Sequence, residues 1–361
     1  MEKSKHMILI SVVAAVFVTL VGMAFLKPDS EYSKAERRML KQQPELSVES
    51  VLSGRYMSEF EAYSLDQFPF RDSFRGLKAF TSLKQDNHGL YVSNGSIVKM
   101  EYPLRENSLE RAGERFKNVY DMYLKDSGSN VYLSIVPDKN YFYAKDSGHL
   151  QMDYEALVSK VVADNSYMTY VNIFPFLSGQ DYYLTDTHWK QEKLALVAEN
   201  LLTAMGNKVE NSYQTVQMEG DFYGVYYGQA ALNLKSDKMK ILTNDTIKAL
   251  TAFDYESNQN IPIYDLAKME EADPYELYVG GPVSLVTIEN PNANNEEELI
   301  VFRDSFGSSI APLLAQGYKK VTLVDIRYIQ PVMLGKFIDF TNKDVLFLYS
   351  TLVLNNSETL K

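Results

Sequence analysis

The sequence predicts an α/β fold: an open, mostly parallel sheet with flanking helices, preceded by one N-terminal transmembrane helix. Residues 298–349 alternate strand-like and helix-like segments, and Met7–Leu26 is an unbroken apolar run. The composition fits a folded chain, with 45% apolar and 23% charged residues. At roughly 150 residues per domain, 361 residues allow two globular units or one large one.

The elements follow in chain order. Met7–Leu26 contains no ionisable side chain, and twenty helical residues rise about 30 Å, the thickness of a bilayer's hydrocarbon core. Lys3 and Lys5 precede it, which predicts a cytoplasmic leader and residues 28–361 outside. Gly22-Met23-Ala24 offers a signal-peptide cleavage site as the alternative. The apolar run exceeds the usual ~7–15 residues of such peptides, so an uncleaved, single-pass anchor in the cell membrane is expected. The expected organisation is a leader and anchor over 1–27, a linker and N-terminal helical region over 28–84, and an α/β domain over 85–361. In the second region Leu77, Phe80 and Leu83 share a helical face, and Asp66–Asp72 reads as a structural corner.

Asn107–Lys125 is predicted as an amphipathic helix, with Asn107 and Glu110 as a capping box and Leu109, Ala112, Phe116, Val119 and Tyr123 as its buried stripe. Val131–Val136 is a strand that ends in Pro137-Asp138-Lys139-Asn140. Trp189–Met205 is a helix with Leu194, Val197, Ala198, Leu201 and Met205 on one face and Gly206 as its stop. Residues 210–295, rich in Tyr, Asn and Gly, are expected to hold strands and loops, with a solvated turn over Asn290–Glu297. Glu298–Phe302, Lys320–Asp325 and Asp344–Tyr349 are strands; Phe306–Gln316 and Pro331–Phe340 are the helices between them. That alternation implies parallel strands joined by right-handed crossovers.

Composition excludes several chemistries. Without cysteine there are no disulfides, iron–sulfur clusters or thiolate zinc sites. Four histidines, His6, His88, His149 and His188, leave little for a histidine-built metal centre, so no metal or cofactor is expected. A net charge of −11 argues against nucleic-acid binding. An exported chain without disulfides must be stabilised by packing, which a domain of this size can supply.

Two segments carry chemistry. In Arg303-Asp304-Ser305-Phe306-Gly307-Ser308, Ser305 sits where a parallel strand ends and a helix begins. A serine there projects into the crevice where ligands of open α/β sheets bind, beside the N–H groups of the helix's first turn. On spacing alone an N-cap is the commoner role of such a serine. In Thr185-Asp186-Thr187-His188-Trp189, Asp-x-His puts a base and the carboxylate that orients it on one turn. The turn is expected to open a helix, whose dipole disfavours imidazolium. Asp186 or Thr187 as a helix cap, with His188 packed in the core, is the alternative.

The chain resembles the DHHW family, whose relatives include the alginate O-acetyltransferase-like proteins of the SGNH-hydrolase superfamily. The resemblance rests on Glu36–Leu40, Asp66–Asp72, Val136–Lys139, Tyr182–Trp189, Asp273-Pro274-Tyr275 with Gly280-Gly281, Arg303–Gly307 and Asp325–Tyr328, in that order across residues 33–355. It implies an SGNH-like catalytic domain with a triad of Ser305, His188 and Asp186. It further implies acetyl transfer to an exported polysaccharide, beside a multi-pass membrane acyltransferase as the acetyl donor. Thr187 stands where the family's name motif has a histidine, and Pro282 follows Gly281 where the family often has Asn, which leaves the oxyanion donors open. Lys139, Arg327 and Asp325 sit at predicted strand ends facing the same crevice. Substrate binding and ion pairing that fixes loops account for them equally. A carbohydrate esterase with the same triad, or a non-catalytic assembly subunit of a polysaccharide synthase complex, are the alternative functions.

Overall fold

A computed structural model describes residues 2–33, 38–71, 89–208, 212–230 and 234–361. The chain divides into two units, one of residues 1–88 with 227–233 and one of residues 89–226 with 234–361. The boundary expected at 84/85 and the expected face of Leu77, Phe80 and Leu83 lie outside the described residues, as do Glu36, Arg37 and Asp72.

In the first unit, helix α1 (Glu2–Leu26) includes Lys5–Ala24, a stretch long and apolar enough to cross a membrane. Helix α2 (Arg55–Asp66) ends in the expected corner. There Asp66 Oδ2 accepts the Lys41 N–H at 2.9 Å, and the Gln67 amide donates to the Ser30 and Lys41 carbonyls.

The second unit is built on one eight-stranded sheet. Its strands are β1 (Asn130–Val136), β2 (Thr169–Tyr170), β3 (Thr251–Asp254), β4 (Gln259–Ile261), β5 (Leu285–Glu289), β6 (Glu298–Arg303), β7 (Lys320–Val324) and β8 (Asp344–Ser350). They lie in the order β4-β3-β5-β7-β6-β8-β1-β2. The pairs from β7 through β6, β8 and β1 to β2 are parallel. The edge formed by β5, β3 and β4 is antiparallel. The strands predicted from β6 to β8 are all present, and the sheet is mostly parallel as expected. The antiparallel edge comes from residues 210–295, where the sequence shows no clear period.

Alternation along the central strands explains the layers. Leu299, Val301, Leu346 and Leu348 face one core, with helix α6 (Ala195–Ala204) and helix α7 (Phe306–Leu314) packed over it. Ile300, Phe302, Val345, Phe347 and Tyr349 face the other, under helix α3 (Glu106–Val119) and helix α5 (Tyr154–Asp164). Strands buried on both faces must be apolar throughout, and these are. Helix α4 (Lys139–Ser147) begins directly after β1.

Three elements depart from expectation. Helix α3 starts at Glu106 behind Arg105, so no Asn107–Glu110 capping box forms. Tertiary contacts fix that entry instead: the Arg105 N–H donates to Asn355 Oδ1, and Ser108 Oγ donates to the Leu354 carbonyl. The predicted stripe from Leu109 to Val119 is buried nonetheless. Helix α6 begins at Ala195 rather than Trp189, because Trp189 is held in a bridge to Tyr182 and Gln191 binds across to α7 and to Leu242. Its apolar stripe and Gly206 stop are as expected, with Gly206 at φ 83°. Pro331–Lys336 is a 3₁₀ turn, not a ten-residue helix.

Candidate active site

Ser305 stands at the carboxyl end of β6, in the centre of the sheet, as the residue that caps α7. Its side chain does not cap the helix, which leaves Oγ free for another partner. Asp304 fixes this junction. Its Oδ1 accepts the Phe306 N–H at 3.0 Å and its Oδ2 accepts the Ser350 N–H at 2.8 Å, tying the turn to the end of β8. Gly307 is required by close packing: a Cβ there would sit 2.5 Å from Arg303 Cβ.

The Asp-x-His segment reaches the same place from 117 residues away. Ser305 Oγ lies 2.8 Å from His188 Nε2, and His188 Nδ1 lies 2.6 Å from Asp186 Oδ1. Asp186 Oδ1 also accepts the His188 N–H at 3.0 Å, and Oδ2 accepts the Val225 N–H at 2.8 Å. Burial works to raise the Asp186 pKa, but the His188 charge and the hydrogen bonds from His188 and Val225 outweigh it and hold the carboxyl below its usual range. An ionised carboxylate only accepts, so Nδ1 carries a proton, and in the neutral imidazole Nε2 accepts from the Ser305 hydroxyl.

The imidazole is clamped on its face. The Tyr275 ring stacks on it at 3.7 Å and 6°, and Phe306 packs against it at 4.9 Å. Tyr275 is fixed in turn, its hydroxyl 2.8 Å from Ser309 Oγ. Trp189, fully buried beside His188, donates from Nε1 to Ser309 Oγ and to the Phe306 carbonyl. Thr187 accepts from the Tyr226 hydroxyl at 3.0 Å. The backbone of Gly224 passes so close to Asp186 that a Cβ there would collide with Asp186 Cβ.

Two expectations about this site are corrected. His188 does not open a helix, since α6 begins at Ala195, so a helix dipole does not act on its imidazole. The first-turn N–H groups of α7 are already engaged: Phe306 binds Asp304 Oδ1, Gly307 binds the Asp304 carbonyl and Ser308 binds the Ser305 carbonyl. Only the N–H of Ser305 itself is left unengaged in that turn among the described residues.

Lys139, Asp325 and Arg327 form no hydrogen bond with the side chains of Ser305, His188 or Asp186. Lys139 is buried, and its ammonium donates to the carbonyls of Tyr183, Leu184 and Asp186. Asp325 is fully buried and takes both Nε and Nη2 of Arg327, at 2.9 and 2.6 Å, with Arg303 Nη1 at 3.6 Å. Arg303 then donates from Nη2 to the Gly281 carbonyl, holding the Gly280-Gly281 turn against the end of β6. Both glycines have positive φ, 74° and 69°, which side chains rarely adopt. These contacts are of the loop-fixing kind. Among the described residues no cluster of His, Asp and Glu is arranged to hold a metal ion.

Sequence reasoning quoted Tyr275 and Asp304 within its motifs without giving them a role, and overlooked Gly224 and Asp237, whose carboxylate accepts the Leu184 and Thr185 N–H groups. Asp304 carried a signal, since it adjoins the candidate nucleophile; Gly224 and Asp237 lie where no period marks an element. A family model for the DHHW protein matches residues 118–324, a span that includes both Asp186 and His188 and Ser305. The chain belongs to the DHHW family. Its fold is similar to that of a DHHW family protein from Eubacterium siraeum, at 20% identity and TM-score 0.58, over 76% of this chain and 97% of that one. It is also similar to PatB1 of Bacillus cereus, solved with a sulfonyl adduct, at 18% identity and TM-score 0.57, over 73% and 95%. The O-acetyltransferase domain of Pseudomonas putida AlgJ matches at 13% identity and TM-score 0.46, over 74% and 92%. The first two likenesses show that this DHHW chain shares their α/β fold. No curated protein matches it in sequence.

Proposed function

We propose that this DHHW protein is an extracytoplasmic O-acetyltransferase, anchored by α1, that acetylates an exported polysaccharide. The observation that carries the reading is the unbroken chain of hydrogen bonds from Ser305 Oγ through His188 to Asp186. As Ser305 attacks an acetyl ester or thioester, His188 Nε2 takes its proton and Asp186 stabilises the imidazolium. The tetrahedral oxyanion forms beside the Ser305 N–H. It collapses to an acetyl-serine, and His188 returns the proton to the leaving group. A sugar hydroxyl, deprotonated by His188, then attacks the acetyl carbon and releases the serine.

A multi-pass membrane acyltransferase supplies the acetyl donor in this reading, and no cofactor takes part. Water and a sugar hydroxyl compete for the same intermediate, so transfer requires the bound glycan to exclude water. Without a glycan the protein acts as a slow esterase. The test is to incubate the full chain in detergent with an activated acetyl ester and map the adduct by mass spectrometry. Acetyl on the Ser305 peptide, absent from Ser305→Ala, is the expected result. A Ser305→Ala protein with full esterase activity overturns it. Transfer itself is read as acetyl appearing on added oligosaccharide, and loss of glycan acetylation in cells carrying Ser305→Ala excludes a purely structural subunit.

A further inference from the structure

Resting on that reading of the triad, the geometry points to Lys139 and Asp237 as a pair of positioning residues that splint the loop bearing the general base. The segment from Tyr183 to His188 belongs to no helix or strand, and backbone bonds reach only part of it: Tyr183 N–H to the His188 carbonyl, and the N–H groups of Ile97 and Tyr226 to the Leu184 and Thr185 carbonyls. Such groups need partners when buried. Two opposite charges bind groups that these bonds leave over and reinforce the Leu184 carbonyl. Lys139 Nζ donates to the carbonyls of Tyr183, Leu184 and Asp186 at 2.8, 3.2 and 3.0 Å, three acceptors for three ammonium hydrogens. Asp237 Oδ1 accepts the Leu184 N–H at 2.7 Å, and Oδ2 accepts the Thr185 N–H and hydroxyl at 2.8 and 2.6 Å.

Both groups are nearly inaccessible, Lys139 2% exposed and Asp237 4%. Isolated charges so buried would be costly; here three carbonyls take the ammonium hydrogens, and two N–H groups and a hydroxyl bind the carboxylate. The splint is also rooted in the sheet. Lys139 is the first residue of α4, and the preceding Asp138 accepts from Asn140 N–H, Tyr154 hydroxyl and Thr351 hydroxyl, the last immediately after β8. β8 also holds Asp304 through the Ser350 N–H. One strand end thus references both halves of the triad. Because Asp186 offers its backbone carbonyl to Lys139 and its carboxylate to His188, a shift of the loop moves the carboxylate directly.

The test uses the full chain in detergent and two readouts. The first is the downfield proton resonance of His188 Nδ1–H shared with Asp186, identified by its absence in His188→Ala. The second is the single-turnover rate of Ser305 acylation. Lys139→Met should lose or shift the resonance and slow acylation by roughly 10–10²-fold, the size expected for a misplaced base, without changing the half-saturating ester concentration. Asp237→Asn, which keeps the shape and one acceptor, should give the same signature more weakly. A small alkylammonium should partly restore the rate of Lys139→Ala, whereas sodium chloride at equal strength should not. If Lys139→Met does not fold, Asp237→Asn decides. Folded variants with the wild-type resonance and rate overturn the inference. A wild-type protein that shows the resonance but never acylates Ser305 overturns the transferase reading and leaves the splint standing.

Discussion

The two halves of the candidate site are held in different ways. Ser305 is fixed by regular structure: a central parallel strand, a helix that starts one residue later, and Asp304 stitching the turn to β8. His188 is fixed by side chains that converge on an irregular loop from many parts of the second unit: Lys139, Asp237, Tyr275 and the backbone at Val225. The nucleophile's position follows from the fold itself. The base's position depends on several separate contacts, each of which can be removed alone, so the base half should be the more fragile one.

The largest effects test whether the two halves act as one unit. Ser305→Ala should abolish the acyl adduct. His188→Ala should slow its formation by roughly 10²–10⁴-fold, the usual contribution of a general base. Asp186→Asn should fall near the upper end of that range, because an amide facing Nδ1 favours the wrong tautomer. Single-turnover acylation measures all three. If Asp186→Asn acylates at the wild-type rate, the carboxylate is only a loop cap and the comparison fails.

Glycine substitutions compare the halves by the same insult. A Cβ at Gly307 meets the side chain of Arg303, and one at Gly224 meets Asp186. Overpacking of this kind costs about 1–3 kcal/mol. Both variants should therefore melt at lower temperature. Gly224→Ala should also slow acylation by roughly 10²-fold, since the displaced atom belongs to the group orienting His188. Equal residual activity in the two variants would show that the base half is no more sensitive than the nucleophile half.

The same contrast explains what the sequence makes legible. The nucleophile half is read from Glu298–Phe302 and the helix after it, because apolar runs and a Gly stop encode those elements locally. Asp-x-His is read as a pair because both residues lie within three positions. Their surroundings are not: Asp237 and Gly224 come from residues 210–295, where backbone partners are side chains and bends rather than periodic ladders. The late start of α6 has the same origin. Its amphipathic spacing extends back to Trp189, but Trp189 and Gln191 have stronger partners in α7. Lys139 is visible as a strand-end residue, yet its buried, inward orientation depends on carbonyls 44 to 47 residues away.

Acidity provides a smaller, signed test on the base half. Burial lowers the Lys139 pKa to about 7, against the pull of Asp186 and Asp237. Between that value and the ordinary lysine range the unfolded chain binds the extra proton, so stability should rise with pH there, by at most about 1.4 kcal/mol per unit. The Asp186 carboxyl, held below its usual range, gives a slope of the same sign at the acid end. The stability it contributes is present above the ordinary carboxylate range and is lost as pH falls through and below it. Melting curves of wild type and Lys139→Met from pH 6 to 10 check the first, and Asp186→Asn below pH 5 checks the second. A rise from pH 7 to 10 that persists in Lys139→Met would assign it to another group.

The smallest effect isolates the stack on the imidazole. Tyr275→Phe keeps the ring that lies 3.7 Å from His188 and removes the hydroxyl 2.8 Å from Ser309 Oγ. Losing that buried hydrogen bond should cost about 1 kcal/mol in thermal unfolding. Ser309 Oγ retains the Trp189 Nε1 donor, so the hydroxyl is not orphaned. Acylation should change by less than about threefold, because ring and imidazole keep their contact. Tyr275→Leu removes the flat partner as well, worth about 0.5–1.5 kcal/mol for an aromatic pair, and leaves the imidazole a face to rotate into. Its acylation rate should fall further than its stability does. A Tyr275→Leu protein as active as Tyr275→Phe would mean that Asp186 alone orients the ring, and the clamp would then be packing without a part in holding the base.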